Sequence, residues 1–60
     1  MDFPGAMQKV IEGKTVRRAA WDESDWLNDD GQFLRKYTPG WNGAYVVEHD
    51  DLHASDWEFF

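Results

Sequence analysis

The stretch Asp2–Arg18, DFPGAMQKVIEGKTVRR, predicts a helix that is followed at once by a strand. Within it, Phe3–Glu12 carries apolar residues at the spacing of one helical face. Asp2 is a suitable N-cap, and Pro4 is tolerated in a first turn because its missing N–H would have no helical partner there. Gly13 suits the helix end because it can adopt a positive φ. The β-branched residues after it predict the first strand.

Further along the chain, the pattern predicts a hairpin. Trp26–Leu27 and Phe33–Leu34 flank the segment Asn28–Gly31. An Asp-Gly pair accepts the positive φ that such turns require. Tyr37 closes the second strand of this hairpin.

The following segment predicts turns, a strand and one helical turn. Thr38–Gly40 and Asn42–Gly43 have turn chemistry on both sides of a tryptophan. Ala44–Val47 combines β-branched and aromatic residues and is predicted to be the best strand of the chain. Glu48–Ser55 is polar and predicts a single helical turn, with Leu52 pointing inward.

The last residues, Asp56–Phe60, alternate in polarity and predict a terminal strand. Trp57 and Phe59 would share one face of this strand, and Trp57 is expected in the core. The whole pattern predicts an α+β fold in a single domain, residues 1–60. Its single N-terminal helix packs on a small, mostly antiparallel β-sheet.

The chain is short and rich in aromatic residues. Its 60 residues suffice for one domain, which buries only ~60% of the surface that its unfolded chain exposes. Domains of this size usually rely on a disulfide, a metal or a partner subunit for stability, and this chain has no cysteine. Four tryptophans among 17% aromatic residues are more than one small core can bury. We therefore expect a homodimer or homotetramer with aromatic rings at an interface or in a ligand site.

The formal net charge is −6 at pH 7. An acidic surface repels the phosphates of nucleic acids and anionic membranes, so we expect no direct nucleic-acid binding and no membrane binding. Four basic residues are nevertheless grouped in the first third of the chain: Lys9, Lys14, Arg17 and Arg18. A local cationic region of this kind can hold a small phosphorylated ligand. The sequence shows no secretory leader and no long apolar run, which predicts a cytoplasmic protein.

No motif typical of catalysis is present. Ser24 and Ser55 have no histidine at triad-like spacing, and there is no Gly-rich phosphate loop. His49 and His53 stand four residues apart, which on a helix would allow them to bind a metal. The favoured interpretation is a solvated polar turn, because the Asp residues between them disfavour a helix. We therefore expect no enzyme activity, no metal site and no cofactor.

Arg17, Arg18 and Trp21 form the strongest candidate binding motif. Consecutive strand residues point to opposite faces, so one arginine at most faces a given site directly. A guanidinium offers a planar fork for phosphate, and a nearby indole can stack on a nucleobase or on the guanidinium. The alternative interpretation is solvated edge arginines beside a core tryptophan. Trp41, between turn glycines, is predicted to be exposed or interfacial.

Two segments at the ends of the chain resemble a known family. Phe3–Ala6 and Val10–Trp21 together are similar to its opening pattern F-x-x-A-…-G-K-x-V-R-R-x-x-W. Asp51–Phe59 is similar to its closing pattern D-L-x-A-x-D-W-E-hydrophobic. The family comprises small phage proteins related to the second type of Thoeris anti-defence protein.

The resemblance implies a helix plus a small β-sheet, assembled as a dimer of dimers with ligand pockets between subunits. It implies a sponge, a protein that sequesters a cyclic nucleotide-type immune signal such as glycocyclic ADP-ribose without cleaving it. In this interpretation Arg17 or Arg18 meets a phosphate, and a base stacks on Trp21 or Trp41. Asp56 would contact the ligand, for example at a ribose hydroxyl.

A second hypothesis is an acidic phage-encoded inhibitor of a host nuclease or defence effector. Clustered carboxylates can mimic a nucleic acid backbone and occupy a basic groove. The acidic segments Asp22–Asp30 and Glu48–Asp56 would carry this activity. A third hypothesis is a structural phage domain without a ligand, and an enzyme is the least favoured class.

Overall fold

A computed structural model describes the chain over residues 1–60 and contains two helices and five strands. In chain order, the elements are α1 (Phe3–Ile11), β1 (Val16–Arg18), β2 (Trp26–Asp29), β3 (Leu34–Thr38), β4 (Trp41–Ala44), α2 (His49–His53) and β5 (Trp57–Phe59). The predicted α+β fold is confirmed. Neither helix has the length and apolar character needed to cross a membrane.

The five strands form one antiparallel sheet in the order β4-β3-β2-β1-β5. Strand β1 lies between β2 and the last strand, so that Val16 is paired with both Leu27 and Phe59. The last strand in the chain, β5, is therefore paired with the first, β1. This long-range pairing brings the two ends of the sequence together.

Helix α1 begins and ends as its sequence predicts. The Asp2 carboxylate accepts a 2.9 Å hydrogen bond from the backbone N–H of Gly5. At the other end, Gly13 has a φ of 88°, and the following backbone N–H of Lys14 donates to the carbonyl of Lys9 at 2.9 Å. Both contacts satisfy backbone groups that a helix end leaves without partners.

The core lies between α1 and the β2-β1-β5 part of the sheet. It consists of five buried residues: Ala6, Val10, Val16, Leu27 and Trp57. The expectation that Trp57 is a core residue is confirmed, since 2% of it is exposed. Phe59 follows the same face of β5 but remains 45% exposed at the sheet margin, where the Lys9 ammonium lies 4.6 Å from its ring centroid.

The prediction of a strand at Ala44–Val47 is wrong. The strand is Trp41–Ala44, and it includes the Asn42–Gly43 pair that was predicted to be a turn. The reason is the tight loop Pro39–Gly40, which sets Trp41 directly opposite Thr38. Pairing therefore starts immediately after the loop, and the strand ends at Ala44 with one further bond from the Tyr45 N–H to the Leu34 carbonyl at 2.9 Å.

The prediction that Leu52 points inward is also wrong. Leu52 is 47% exposed, whereas the preceding residue, Asp51, is only 4% exposed. Neighbouring helical residues project about 100° apart, so in a single turn only one of the two can face the interior. Asp51 faces the interior because Arg18 and Tyr45 donate hydrogen bonds to its carboxylate.

The two faces of the sheet differ in what covers them. Helix α1 packs on the first face. The second face, which we call the open face, carries eight residues at paired register positions: Arg17, Glu58, Trp26, Asn28, Arg35, Tyr37, Asn42 and Ala44. Trp26 and Tyr37 stack across β2 and β3 with ring centroids 4.0 Å apart and planes inclined by 15°. The Arg35 guanidinium donates to the Asn42 side-chain oxygen at 2.6 Å.

Asp30 organises the loop between β2 and β3. One carboxylate oxygen accepts from the backbone N–H groups of Gln32 and Phe33 at 2.9 and 3.0 Å. The other accepts from Arg35 Nε at 2.6 Å. These bonds, the backbone ones foremost, lower the pKa of Asp30 to about 2.

Because its pKa is lowered on folding, Asp30 is expected to make a contribution to stability that is lost in acid. The pKa of Asp30 is about 2 in the folded chain and about 3.9 in an unfolded chain. Its contribution is therefore complete above the unfolded pKa and is lost as the pH falls towards 2. We expect Asp30→Asn to unfold at lower urea concentration than wild type near neutral pH, with the difference shrinking in acid. Glu23→Gln, in an exposed loop, is the control. A difference independent of pH would contradict this account.

Candidate functional site

Arg17 and Arg18 project to opposite faces of β1. Arg17 lies on the open face, where its Nε is 3.2 Å from a carboxylate oxygen of Glu58, its partner across β1 and β5. This contact is an ion pair without the geometry of a hydrogen bond, so the buried Arg17 Nε has no hydrogen-bond acceptor. Arg18 lies on the helix-covered face and contacts two carboxylates. The two arginines therefore lie on different faces of the sheet.

Arg18 is held by a network of side chains from three parts of the chain. Its Nε donates to Asp56 at 2.8 Å and its Nη1 to Asp51 at 3.1 Å. The second oxygen of Asp51 accepts from the Tyr45 hydroxyl at 2.7 Å. The second oxygen of Asp56 accepts from the backbone N–H of Ala20 at 3.0 Å. We call Arg18, Tyr45, Asp51 and Asp56 the Arg18 network.

The pKa directions within the Arg18 network agree with its geometry. The hydrogen bond to Asp56 foremost, and that to Asp51 next, raise the pKa of Arg18, and the bond from Arg18 lowers the pKa of Asp56. Burial, followed by the hydrogen bond to Asp51, raises the pKa of Tyr45 well above its ordinary value. Tyr45 is therefore a neutral hydroxyl that donates to a carboxylate. The network holds the segment after β1 against α2.

Trp21 lies beside this network and packs edge-on against two aromatic rings. Its centroid is 5.3 Å from that of Trp57, with planes at 75°, and 6.2 Å from that of Tyr45, with planes at 64°. The Lys36 ammonium lies 4.0 Å from the Trp21 centroid, a cation–π distance. Trp21 is thus half-buried, with its edges in the aromatic cluster and a cation over its ring.

Trp41 lies on the same face of the sheet as Lys36. Lys36 is the direct partner of Gly43 across β3 and β4. A Cβ added to Gly43 would lie 2.7 Å from Trp41 Cζ2, so the indole lies over the glycine. Trp41 is 55% exposed, as its position between turn residues predicts. We call Trp21, Lys36 and Trp41 the indole–lysine surface.

The structure thus divides the five predicted site residues among three places. Arg18 and Asp56 bind one another in the Arg18 network, Trp21 and Trp41 belong to the indole–lysine surface, and Arg17 lies on the open face. The backbone N–H of Trp21 donates to the carbonyl of Arg18 at 3.0 Å, which links the network to that surface. No pocket is enclosed by the single chain.

Sequence reasoning missed Lys36 and Tyr45. A signal for Lys36 was present, because alternation along β3 places Leu34 and Lys36 on one face, and Leu34 packs against the core. Tyr45 was included in a predicted strand that does not form. Its hydroxyl reaches Asp51 because α2 brings that carboxylate back to the end of β4.

Fold and site define a small α+β domain with an exposed cation–aromatic surface, which suits binding of a planar, anionic ligand. Comparison with protein families identifies the domain: the Tad2-like family, the Thoeris anti-defense 2-like domain, matches residues 1–60. The chain belongs to this family, which implies a Thoeris anti-defence role for a phage protein. The family is not a known enzyme family. Neither a curated protein nor a solved structure matches the chain.

Proposed function

We propose that the chain is a phage anti-defence sponge that binds and sequesters a cyclic nucleotide-type immune signal without cleaving it. Glycocyclic ADP-ribose or a related cyclic nucleotide is the proposed ligand. The observation that carries the proposal is the Lys36 ammonium, 4.0 Å from the Trp21 ring centroid, on the sheet face that also carries the 55% exposed Trp41. Membership of the anti-defence family supports it independently.

The side chains of the indole–lysine surface suit the parts of such a ligand. An exposed indole such as Trp41 offers a π-face on which a base can stack, an interaction of about 1–3 kcal/mol per base. The Lys36 ammonium supplies a point charge for phosphate. In this proposal Arg18 and Asp56 hold the neighbouring segment in place, with 17% of the Arg18 side chain exposed to a ligand phosphate.

We propose further that the protein acts as a homodimer or homotetramer, with the open face as one interface. The core and helix α1 lie on the opposite face of the sheet. A two-fold interface would place the open face of one copy against the open face of the other. The stacked Trp26 and Tyr37 rings would add apolar area.

The acidic-inhibitor hypothesis has less support from the geometry. Five of the carboxylates on which it depends accept hydrogen bonds within the chain: Asp22, Asp29, Asp30, Asp51 and Asp56. Asp51 is also buried. Carboxylates that are held in this way are poorly placed to replace a nucleic acid backbone in a basic groove.

The sponge is tested by capture and release. Purified protein is mixed with a panel of cyclic nucleotides and cyclic ADP-ribose isomers, freed of unbound ligand and heated, and the released compounds are identified by mass spectrometry. We expect recovery of one intact compound, with sedimentation of the same sample as a dimer or tetramer. A cleaved product would contradict sequestration. If every compound stayed in the free fraction, a host protein would be the better candidate partner.

A variant pair locates the ligand. We expect Trp41→Ala to weaken binding by about tenfold or more, because a stacking face is lost. The thermal midpoint should change little, since the indole is 55% exposed. Phe33→Ala, which removes a 38% exposed ring outside the indole–lysine surface, is the matched control and should keep full affinity. Equal affinity of the Trp41→Ala variant and wild type would place the ligand elsewhere.

A further inference from the structure

The two histidines of the chain occupy the ends of α2, which spans His49–His53. Positions i and i+4 of a helix lie on the same side, one above the other. The two ring centroids are 4.7 Å apart and the planes are inclined by 55°, so the rings are neighbours without being stacked. Both residues are exposed. The helical turn thus forms despite the Asp residues that disfavour it.

Two neutral imidazoles four residues apart on one helix side can ligate a single metal ion, as in metal sites built from this spacing. Imidazole nitrogen suits zinc, copper and nickel, whereas magnesium and calcium select oxygen ligands. Glu48 and Asp50 adjoin the pair and add negative charge, on a chain whose net charge is already −6. No third His, Cys, Asp or Glu completes the set. Such a site leaves its remaining coordination positions to water.

We propose that His49 and His53 form a surface site for one divalent transition-metal ion, with copper, nickel or zinc as the occupant. No residue of this site belongs to the indole–lysine surface, and the proposal does not depend on the proposed sponge function. It also has a structural consequence. A five-residue helix is unstable by itself, and its middle residue, Asp51, holds Arg18 and Tyr45. An ion that joins both helix ends therefore stabilises the Arg18 network.

The site is tested by titrating tag-free protein with copper, nickel, zinc or magnesium chloride. The buffer is non-coordinating and at neutral pH. Isothermal titration calorimetry should show one transition-metal ion per chain and no heat from magnesium. The thermal midpoint should rise with ion concentration, because an ion that binds only the folded chain stabilises it. His53→Gln keeps the exposed position and the chain length but removes one ligand. We expect it to weaken binding by about tenfold or more.

Asp50→Asn is the matched control, since it changes the charge of the same helix and leaves both imidazoles in place. It should retain binding within about threefold, because the ion depends on imidazole nitrogen. Circular dichroism confirms folding of each variant without metal. Absence of binding by wild type would overturn the proposal. So would equal binding by wild type and the His53→Gln variant, which would assign the ion to carboxylates.

Discussion

Trp57→Ala is expected to cause the largest loss of stability of any single substitution considered. Trp57 is 2% exposed in the centre of the core and contacts Phe3 and Trp21 edge-on, at centroid distances of 5.7 and 5.3 Å. Its indole N–H also donates to the backbone carbonyl of Asp51 at 3.1 Å. Replacing a buried tryptophan with alanine costs about 3–5 kcal/mol. A domain of this length is stable by only about 3–9 kcal/mol.

The loss is measured by urea unfolding, followed by far-ultraviolet circular dichroism at one fixed protein concentration. Fixed concentration is required because self-association adds to apparent stability. Trp41→Ala is the matched control, since it removes the same side chain from a 55% exposed position. We expect its midpoint to remain close to that of wild type. A Trp57→Ala variant with the wild-type midpoint would show that the core is not centred on this ring.

Asp51→Ala is expected to produce the second-largest loss. The carboxylate is 4% exposed and accepts one hydrogen bond from Arg18 and one from Tyr45. Its removal leaves the partly buried Tyr45 hydroxyl without its acceptor and Arg18 with one carboxylate instead of two. Breaking such contacts costs about 2–3 kcal/mol, less than for a fully buried pair because Arg18 is partly exposed. The free energy of unfolding in urea measures this cost.

The neighbouring residue provides a close control for this change. Asp50→Ala removes the same carboxylate from the same helix at an exposed position and should change stability by about 0.5 kcal/mol or less. Tyr45→Phe combined with Asp51→Ala should cost less than the sum of the two single changes, because both remove one shared hydrogen bond. Additive losses would mean that Tyr45 and Asp51 act independently.

The elements that were predicted correctly have local signals. Asp2 and Gly13 bound α1 because a side-chain acceptor and a positive φ satisfy the helix ends within a few residues. The hairpin of β2 and β3 forms where Asp30 and Gly31 supply turn chemistry between apolar pairs. The alternation in β1 correctly separated Arg17 from Arg18, and the alternation of polarity in Asp56–Phe60 correctly placed Trp57 in the core.

The predictions that failed involve competition between distant segments. Val46 and Val47 have high strand propensity but remain 74% and 45% exposed. The tight hairpin at Pro39–Gly40 pairs the residues before them instead, and propensity without a partner strand does not make a strand. Similarly, hydrophobicity favoured Leu52 over Asp51 for the interior. The buried acid is stabilised by Arg18, which lies more than thirty residues earlier in the chain.

The sequence by itself determined the α+β class, the bounds of α1, the main hairpin and the family motifs at both ends, because each depends on residues close together in the chain. Only the tertiary structure decided which side chains meet. Pairing of β1 with both β2 and β5 places Arg18 beside Asp51 and Asp56, and register across β3 and β4 sets Trp41 near Lys36. Such contacts depend on the packing of segments distant in sequence, and local propensity carries no information about them.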